Sequence, residues 1–280
     1  MSAANIPGGA RDLAALVRHA VATTTPRADR GASTTSDLTM DEELNLHAIG
    51  WEPVELVSGY SAFSTPAGLW SWGQGEIATA TEAHAHAFAN AINRIHHDAA
   101  AVGAHGVVGV AIERSVHPSH TEVSLLGTAV RPAGAGALGA DQVFVSDLSA
   151  RDFSRLMLAG WEPRGLATGA SFVYAPRRTV GMALAQQSQN VELTNYTEAM
   201  YSARELAMER MQESALSMKG AGVVEVKIVE GPMSFAPHAI GFAAWGTVVR
   251  LSEESHRLMS PTMVVSLNDP VVMFDAVTLE

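Results

Sequence analysis

Gly50-Trp51-Glu52-Pro53 recurs as Gly160-Trp161-Glu162-Pro163, and upstream of each Ser36-Asp37-Leu38-Thr39 recurs as Ser146-Asp147-Leu148-Ser149. Both matches lie 110 positions apart. Two tetrapeptides sharing one offset, one of them containing tryptophan, mark a duplication. Working outward, Gly106-Val107-Val108 matches Gly222-Val223-Val224 at an offset of 116, and Gly127-Thr128 matches Gly246-Thr247 at 119. A growing offset is what loop insertions in the second copy produce.

Each copy then reads as the same string of elements. A short helix opens it, with Thr39 and Glu42 in capping-box spacing and Ser149 with Asp152 as a weaker version. Gly50 and Gly160 stand where a helix end needs a left-handed residue, and the proline three positions later prevents continuation. Strands are expected at 54–64 and 165–174, long helices at 81–102 and 195–218, and two closing strands in each copy at 107–113 with 122–130 and at 223–229 with 239–249. In the second long helix Met200, Ala203, Ala207, Met211, Ala215 and Met218 fall at helical spacing. Their counterparts are His84, Ala87, Ala91, Ile95, Ala99 and Val102. Both stripes are alanine-rich, so each helix is expected to lie close to its sheet. Asn195, with Glu198 in box spacing, is expected to cap the second.

The fold class is therefore α+β, two tandem βαββ units each preceded by a short helix. The segments are 1–35, an N-terminal helix (9–21) and polar linker; 36–132, the first unit; 133–145, a Gly/Ala linker; 146–251, the second unit; and 252–280, a β-rich tail. A three-stranded sheet crossed by one helix buries one face only. The other face is covered by the other copy or by sister chains, and the composition favours sister chains. Only 17% of the 280 residues are charged and 47% are hydrophobic, so little polar surface is on offer.

The net charge of −11, with no basic run, argues against nucleic acid. With no cysteine there is neither a disulfide nor a thiolate metal site. No apolar run approaches the roughly 20 residues a membrane helix needs, and the start does not read as a secretory signal, so a cytoplasmic protein is expected.

Each copy resembles the YbjQ-like family, whose label names heavy-metal binding. The residues that carry the likeness are Val57-Ser58-Gly59, then Gly103-Ala104-His105-Gly106-Val107-Val108-Gly109-Val110, then Gly127-Thr128-Ala129-Val130. In the second copy they are Ala167-Thr168-Gly169, Lys219-Gly220-Ala221-Gly222-Val223-Val224 and Gly246-Thr247-Val248-Val249. The resemblance implies a dodecin-like subunit that assembles into a pentameric ring. Because five is odd, two-domain chains do not tile one five-domain ring. Closed symmetry then favours five chains in two stacked rings, one from each copy. The stretch 68–80 departs from the second copy and from the family pattern.

Histidines are the first place to look for chemistry, and the first copy holds His84, His86, His96, His97, His105, His117 and His120. A helical metal pair needs three- or four-residue spacing. His86 and His97 share a face but stand three turns apart, about 16 Å at 1.5 Å per residue. His117 and His120 have a workable local spacing in a hairpin loop, yet two ligands hold a divalent ion poorly unless symmetry brings more. Metal candidates are thus His117 and His120, with His86 and His97 behind them; the plainer reading is polar surface and core histidines. His84 stands where the second copy has Met200, which marks it as a core residue. Trp70 and Trp72 are candidates to stack a flat ligand, against the plainer role of interface anchors. Gly134-Ala135-Gly136-Ala137-Leu138-Gly139 fits a dinucleotide glycine pattern, but no helix opens after it to cradle a phosphate, so it reads as a linker. No G-x-S-x-G, H-E-x-x-H or Walker sequence is present.

The expected function is a non-catalytic, self-assembling scaffold, a homo-oligomeric ring or larger shell, with no cofactor indicated. The alternative is a module binding a divalent metal or a flat small molecule at subunit junctions.

Overall fold

A computed structural model describes residues 35–66, 68–71, 73–176 and 192–252. The expected helix at 9–21, most of the linker after it, Trp72 and the β-like runs of the tail lie outside the described residues.

The repeat is reproduced element by element. Glu42 N–H donates to the Thr39 hydroxyl at 3.4 Å while Thr39 N–H donates to the Glu42 carboxylate at 2.9 Å, which closes the capping box of α1, Met40–Ala48. Gly50 takes φ 76° and releases the chain into β1, Trp51–Ser64. Then come α2, Ala78–Ala101, β2, Gly106–Val116, and β3, His120–Pro132. In the second half Ser149 caps α3, Ala150–Leu158, Gly160 takes φ 80°, and β5 spans Trp161–Tyr174. The half closes with α4, Thr194–Ser217, β6, Gly222–Met233, and β7, Ala236–Leu251. Both first strands begin earlier than the sequence suggested. Pro53 and Pro163 lie on edge strands, each beside a register shift, where a missing N–H interrupts no ladder.

Asn195 is not the cap of α4. That helix begins one residue earlier, from Leu193, with no side-chain cap, and the Asn195 amide instead donates to the Pro176 carbonyl at 2.8 Å.

The second sheet is antiparallel in the order β5-β7-β6. The first has a fourth strand that the pattern did not reveal. β4, Phe144–Val145, emerges from the linker and pairs parallel with β2, giving β1-β3-β2-β4.

Helix-to-sheet contact is as close as the alanine stripes imply. A Cβ on Gly59 would overlap the Ala91 carbonyl of α2, and one on Gly169 would overlap the Ala207 carbonyl of α4. These are the same two positions in each copy. Polar pairs repeat as well: Asp37 N–H donates to the Thr128 hydroxyl and Asp147 N–H to that of Thr247, each at 3.1 Å. Arg131 binds Glu52 as Arg250 binds Glu162.

The two copies do cover each other, contrary to the expectation that sister chains alone would do so. α2 lies between the sheets. Its Ala91, Ile95 and Ala99 pack with Val57, Val123 and Leu125 of the first sheet, and the same core includes Leu166, Ala170, Ala243 and Trp245 of the second. The second sheet's opposite face takes α4 through Ala203, Ala207 and Met211. The layers run sheet, helix, sheet, helix. A helix hydrophobic on two sides fits only such a sandwiched position; α2 buries His84 and Phe88 as well as its alanine stripe. The outer face of the first sheet is covered at one end, where Val108 and Val130 meet Leu46 of α1 and Phe153 of α3. Toward the other end, among the described residues, Tyr60 and Leu126 are exposed.

Among the described residues no helix is long and apolar enough to cross a membrane, which says nothing about strands.

Candidate functional site

Two places concentrate polar chemistry. The first is the tip of the β2–β3 hairpin. His117 N–H donates to the His120 carbonyl at 2.8 Å and closes the turn. The two imidazoles stack with centroids 4.5 Å apart and planes 20° off parallel. His120 Nε2 lies 3.0 Å from Glu122 Oε1, and His117 Nε2 lies 4.0 Å from Glu122 Oε2. One ligand atom from each of the three residues falls within 4.8 Å of the others. Loop spacing alone does not point to Glu122, which stands on the strand beyond it. The signal was present: residues two apart on a strand project to one face, so His120 and Glu122 share a side of β3.

The other histidines sit elsewhere. His86 is exposed on α2 and stacks on Phe63, centroids 5.0 Å apart. His97 is exposed on the same helix, and neither joins the hairpin cluster.

The second place is the junction of the copies, built by the stretch after β1 that departs in sequence from the second copy. Trp70 is buried, its indole N–H donates to the Pro118 carbonyl at 3.1 Å, and its ring meets Phe172 and Phe235 edge-on. The Tyr174 hydroxyl donates to the Leu69 carbonyl. Glu76 forms a bridge with Val173, flanked by Ile77 N–H to Phe172 O and Tyr174 N–H to Gly75 O, so the loop adds backbone pairing to the free edge of β5. The Glu76 carboxylate accepts from Thr81 and Ser171, each at 3.0 Å, and from Arg210 of α4. The Arg210 guanidinium, helped by Ser171 and Thr81, holds this carboxyl below its usual range. A cavity of about 280 Å³ opens beside it, walled by Thr81, His84, Thr168 and Ala170. His84 is 2% exposed, and burial, with the Arg114 cation nearby, pushes its pKa down to about 3. Its imidazole is neutral, and among the described residues its Nε2 and the buried Nη1 of Arg114 have no hydrogen-bond partner. Burial also lowers the Arg114 pKa, to about 10.

A family model described as "Putative heavy-metal-binding" matches residues 55–133 and again residues 179–252. The chain belongs to the YbjQ family. Both YbjQ matches fall in the two copies read from the repeat. The chain is also 34% identical, over 84% of its length and 92% of the relative's, to the Encapsulin nanocompartment protein Rv1762c of Mycobacterium tuberculosis. A "UPF0145 protein" of Halorubrum lacusprofundi is 38% identical over 26% of this chain and 72% of its own. The YbjQ description names heavy metals, which the chain's donors fit selectively. Without a single cysteine there is no thiolate for a soft ion, while two imidazoles and a carboxylate suit a borderline divalent one.

Proposed function

We propose that the chain is a self-assembling structural protein whose copies join through open sheet edges into a closed ring or shell. The observation that carries this reading is the state of β6. Its counterpart β2 has β4 along its outer edge, with Ser146 N–H donating to Val107 O and Gly109 N–H donating to Leu148 O. Among the described residues β6 pairs with β7 alone. Helices α2 and α4 lie over β5 and β7, so β6 stands out as a flange with Val226, Ile228 and Val229 at 39%, 50% and 43% exposure. An uncovered strand of 12 residues with aliphatic side chains on both faces is a template for another chain. The name of the mycobacterial relative, an encapsulin nanocompartment protein, supports the same direction.

A second copy of the chain is the partner this reading commits to. Five chains is the count we attach to it, from the ring expected of the family, with the two copies forming two tiers. No nucleic acid, catalytic reaction or resident cofactor enters the proposal. Native mass spectrometry of the purified full chain tests it: a multiple of the 29.5 kDa chain is expected, and a monomer at micromolar concentration would end the reading.

A further inference from the structure

The tip of the β2–β3 hairpin is fastened more firmly than an exposed turn of this length. Thr65 N–H donates to the Ser119 carbonyl at 2.8 Å. The Thr65 hydroxyl and the Trp70 indole both donate to the Pro118 carbonyl, at 3.3 and 3.1 Å. With the turn bond from His117 to His120, every residue of the tip is tied to its neighbour or to the loop after β1. Such anchoring is what separates a preorganised ligand set from two histidines that happen to be near each other.

On this platform the donor atoms already have nearly the spacing a metal asks for. Bonds of about 2.0–2.2 Å in a tetrahedral site place ligand atoms roughly 3.4 Å apart. The nitrogen-to-oxygen distances, 3.0 Å from His120 to Oε1 and 4.0 Å from His117 to Oε2 of the same carboxylate, lie on either side of that value, so a small turn of the carboxylate brings one oxygen to both rings. The outer side of the ring is also arranged. Without a metal, His120 Nε2–H donates to Glu122 Oε1 at 3.0 Å and Nδ1 accepts from the Ser119 hydroxyl at 3.0 Å; an ion that takes the place of the Nε2 proton leaves Nδ1–H to donate to that same hydroxyl. A ligand histidine that gives its second N–H to an oxygen is the usual way of fixing tautomer and ring orientation.

We propose that His117, His120 and Glu122 bind one divalent transition ion of the zinc type, with two imidazole nitrogens, one carboxylate oxygen and a fourth position left to water. The hairpin of the second copy, Met233-Ser234-Phe235-Ala236, has no donor of this kind. The stoichiometry is therefore one ion per chain, and the site stands whether or not the chain assembles.

The test uses tag-free full-length chain dialysed against zinc and assayed for bound metal, with cobalt as a spectroscopic stand-in. One zinc per chain is expected, and cobalt should show the intense visible bands of a tetrahedral site. His120→Ala and Glu122→Gln should each weaken zinc binding by at least about tenfold, since even the loss of a supporting partner costs that much. His97→Ala on the exposed face of α2 should leave it unchanged. Circular dichroism matching the parent confirms that each variant is folded. Zinc retained equally by a His117→Ala/His120→Ala double variant would overturn the proposal, as would a parent chain that binds none.

Discussion

Arg210 grips Glu76 with both arms: Nη1 donates to Oε1 at 2.6 Å and Nη2 to Oε2 at 2.9 Å, across the boundary between the two copies. The pair sits at the mouth of the junction cavity, with the guanidinium also donating to the Ala170 carbonyl at 2.9 Å. Arg210 remains 35% exposed, so solvent screens part of the attraction, and the carboxylate at 22% is the more sheltered partner.

Glu76→Gln should therefore lower stability by about 1–2 kcal/mol, between the values usual for exposed and for buried pairs. Because folding depresses this carboxyl below its ordinary 4.5, its contribution is complete above that pH and fades as pH falls through the folded value. Urea titrations should show parent and variant diverging at pH 7 and converging in strong acid. An equal gap at both ends would contradict the assignment.

His84 acts in a different pH window. Folded it titrates near 3, unfolded near 6.5, so below 6.5 the unfolded chain takes up a proton that the folded chain refuses. Stability should fall with acid by about 1.4 kcal/mol per pH unit, or roughly 2 kcal/mol between pH 7 and 5. His84→Met, which installs the second copy's residue at that position, should flatten this limb. A variant whose stability follows the parent's curve would show that His84 is not the group responsible.

Gly59→Ala and Gly169→Ala should each cost about 1–3 kcal/mol, because the added carbon meets helix backbone that has no rotamer with which to retreat. Gly222→Ala, on the open strand with nothing within 4 Å of the added atom, should stay within about 0.5 kcal/mol of the parent. Thermal denaturation of the three variants distinguishes contact from mere glycine content.

Ile228→Lys places a charge on the exposed flange, the device by which natural edge strands refuse partners. It should reduce the native mass to that of smaller species while circular dichroism stays unchanged. An intact assembly would move the interface elsewhere, to the end of the first sheet around Tyr60 and Leu126.

The repeat was legible because its punctuation is chemical: Gly50 and Gly160 must turn left-handed, and the Trp and Pro after them recur at one offset. Helix depth was legible too, since alanines at helical spacing allow Gly59 and Gly169 to approach backbone. What escaped was whatever has no second copy. The segment 68–77 departs from its counterpart because it serves the contact between copies, and comparing repeats is blind to such a segment. β4 is two residues in a glycine-rich linker, too short for any periodicity to register. Glu122 lies one strand position beyond the loop where its histidine partners were sought. Asn195 misled because cap spacing is common, while the helix starts from Leu193 with no side-chain cap and the Asn195 amide is taken by the Pro176 carbonyl.

The sandwiched position of α2 also bears on what an engineer can do with this chain. Its halves look like interchangeable modules, and cutting at the glycine-rich linker would seem the obvious way to obtain a single-unit version. Yet the trailing half would leave with one side of its sheet stripped and the edge of β5 unpaired. A usable excision would have to graft residues 68–101 onto it, which makes part of the leading half a wall of the trailing one.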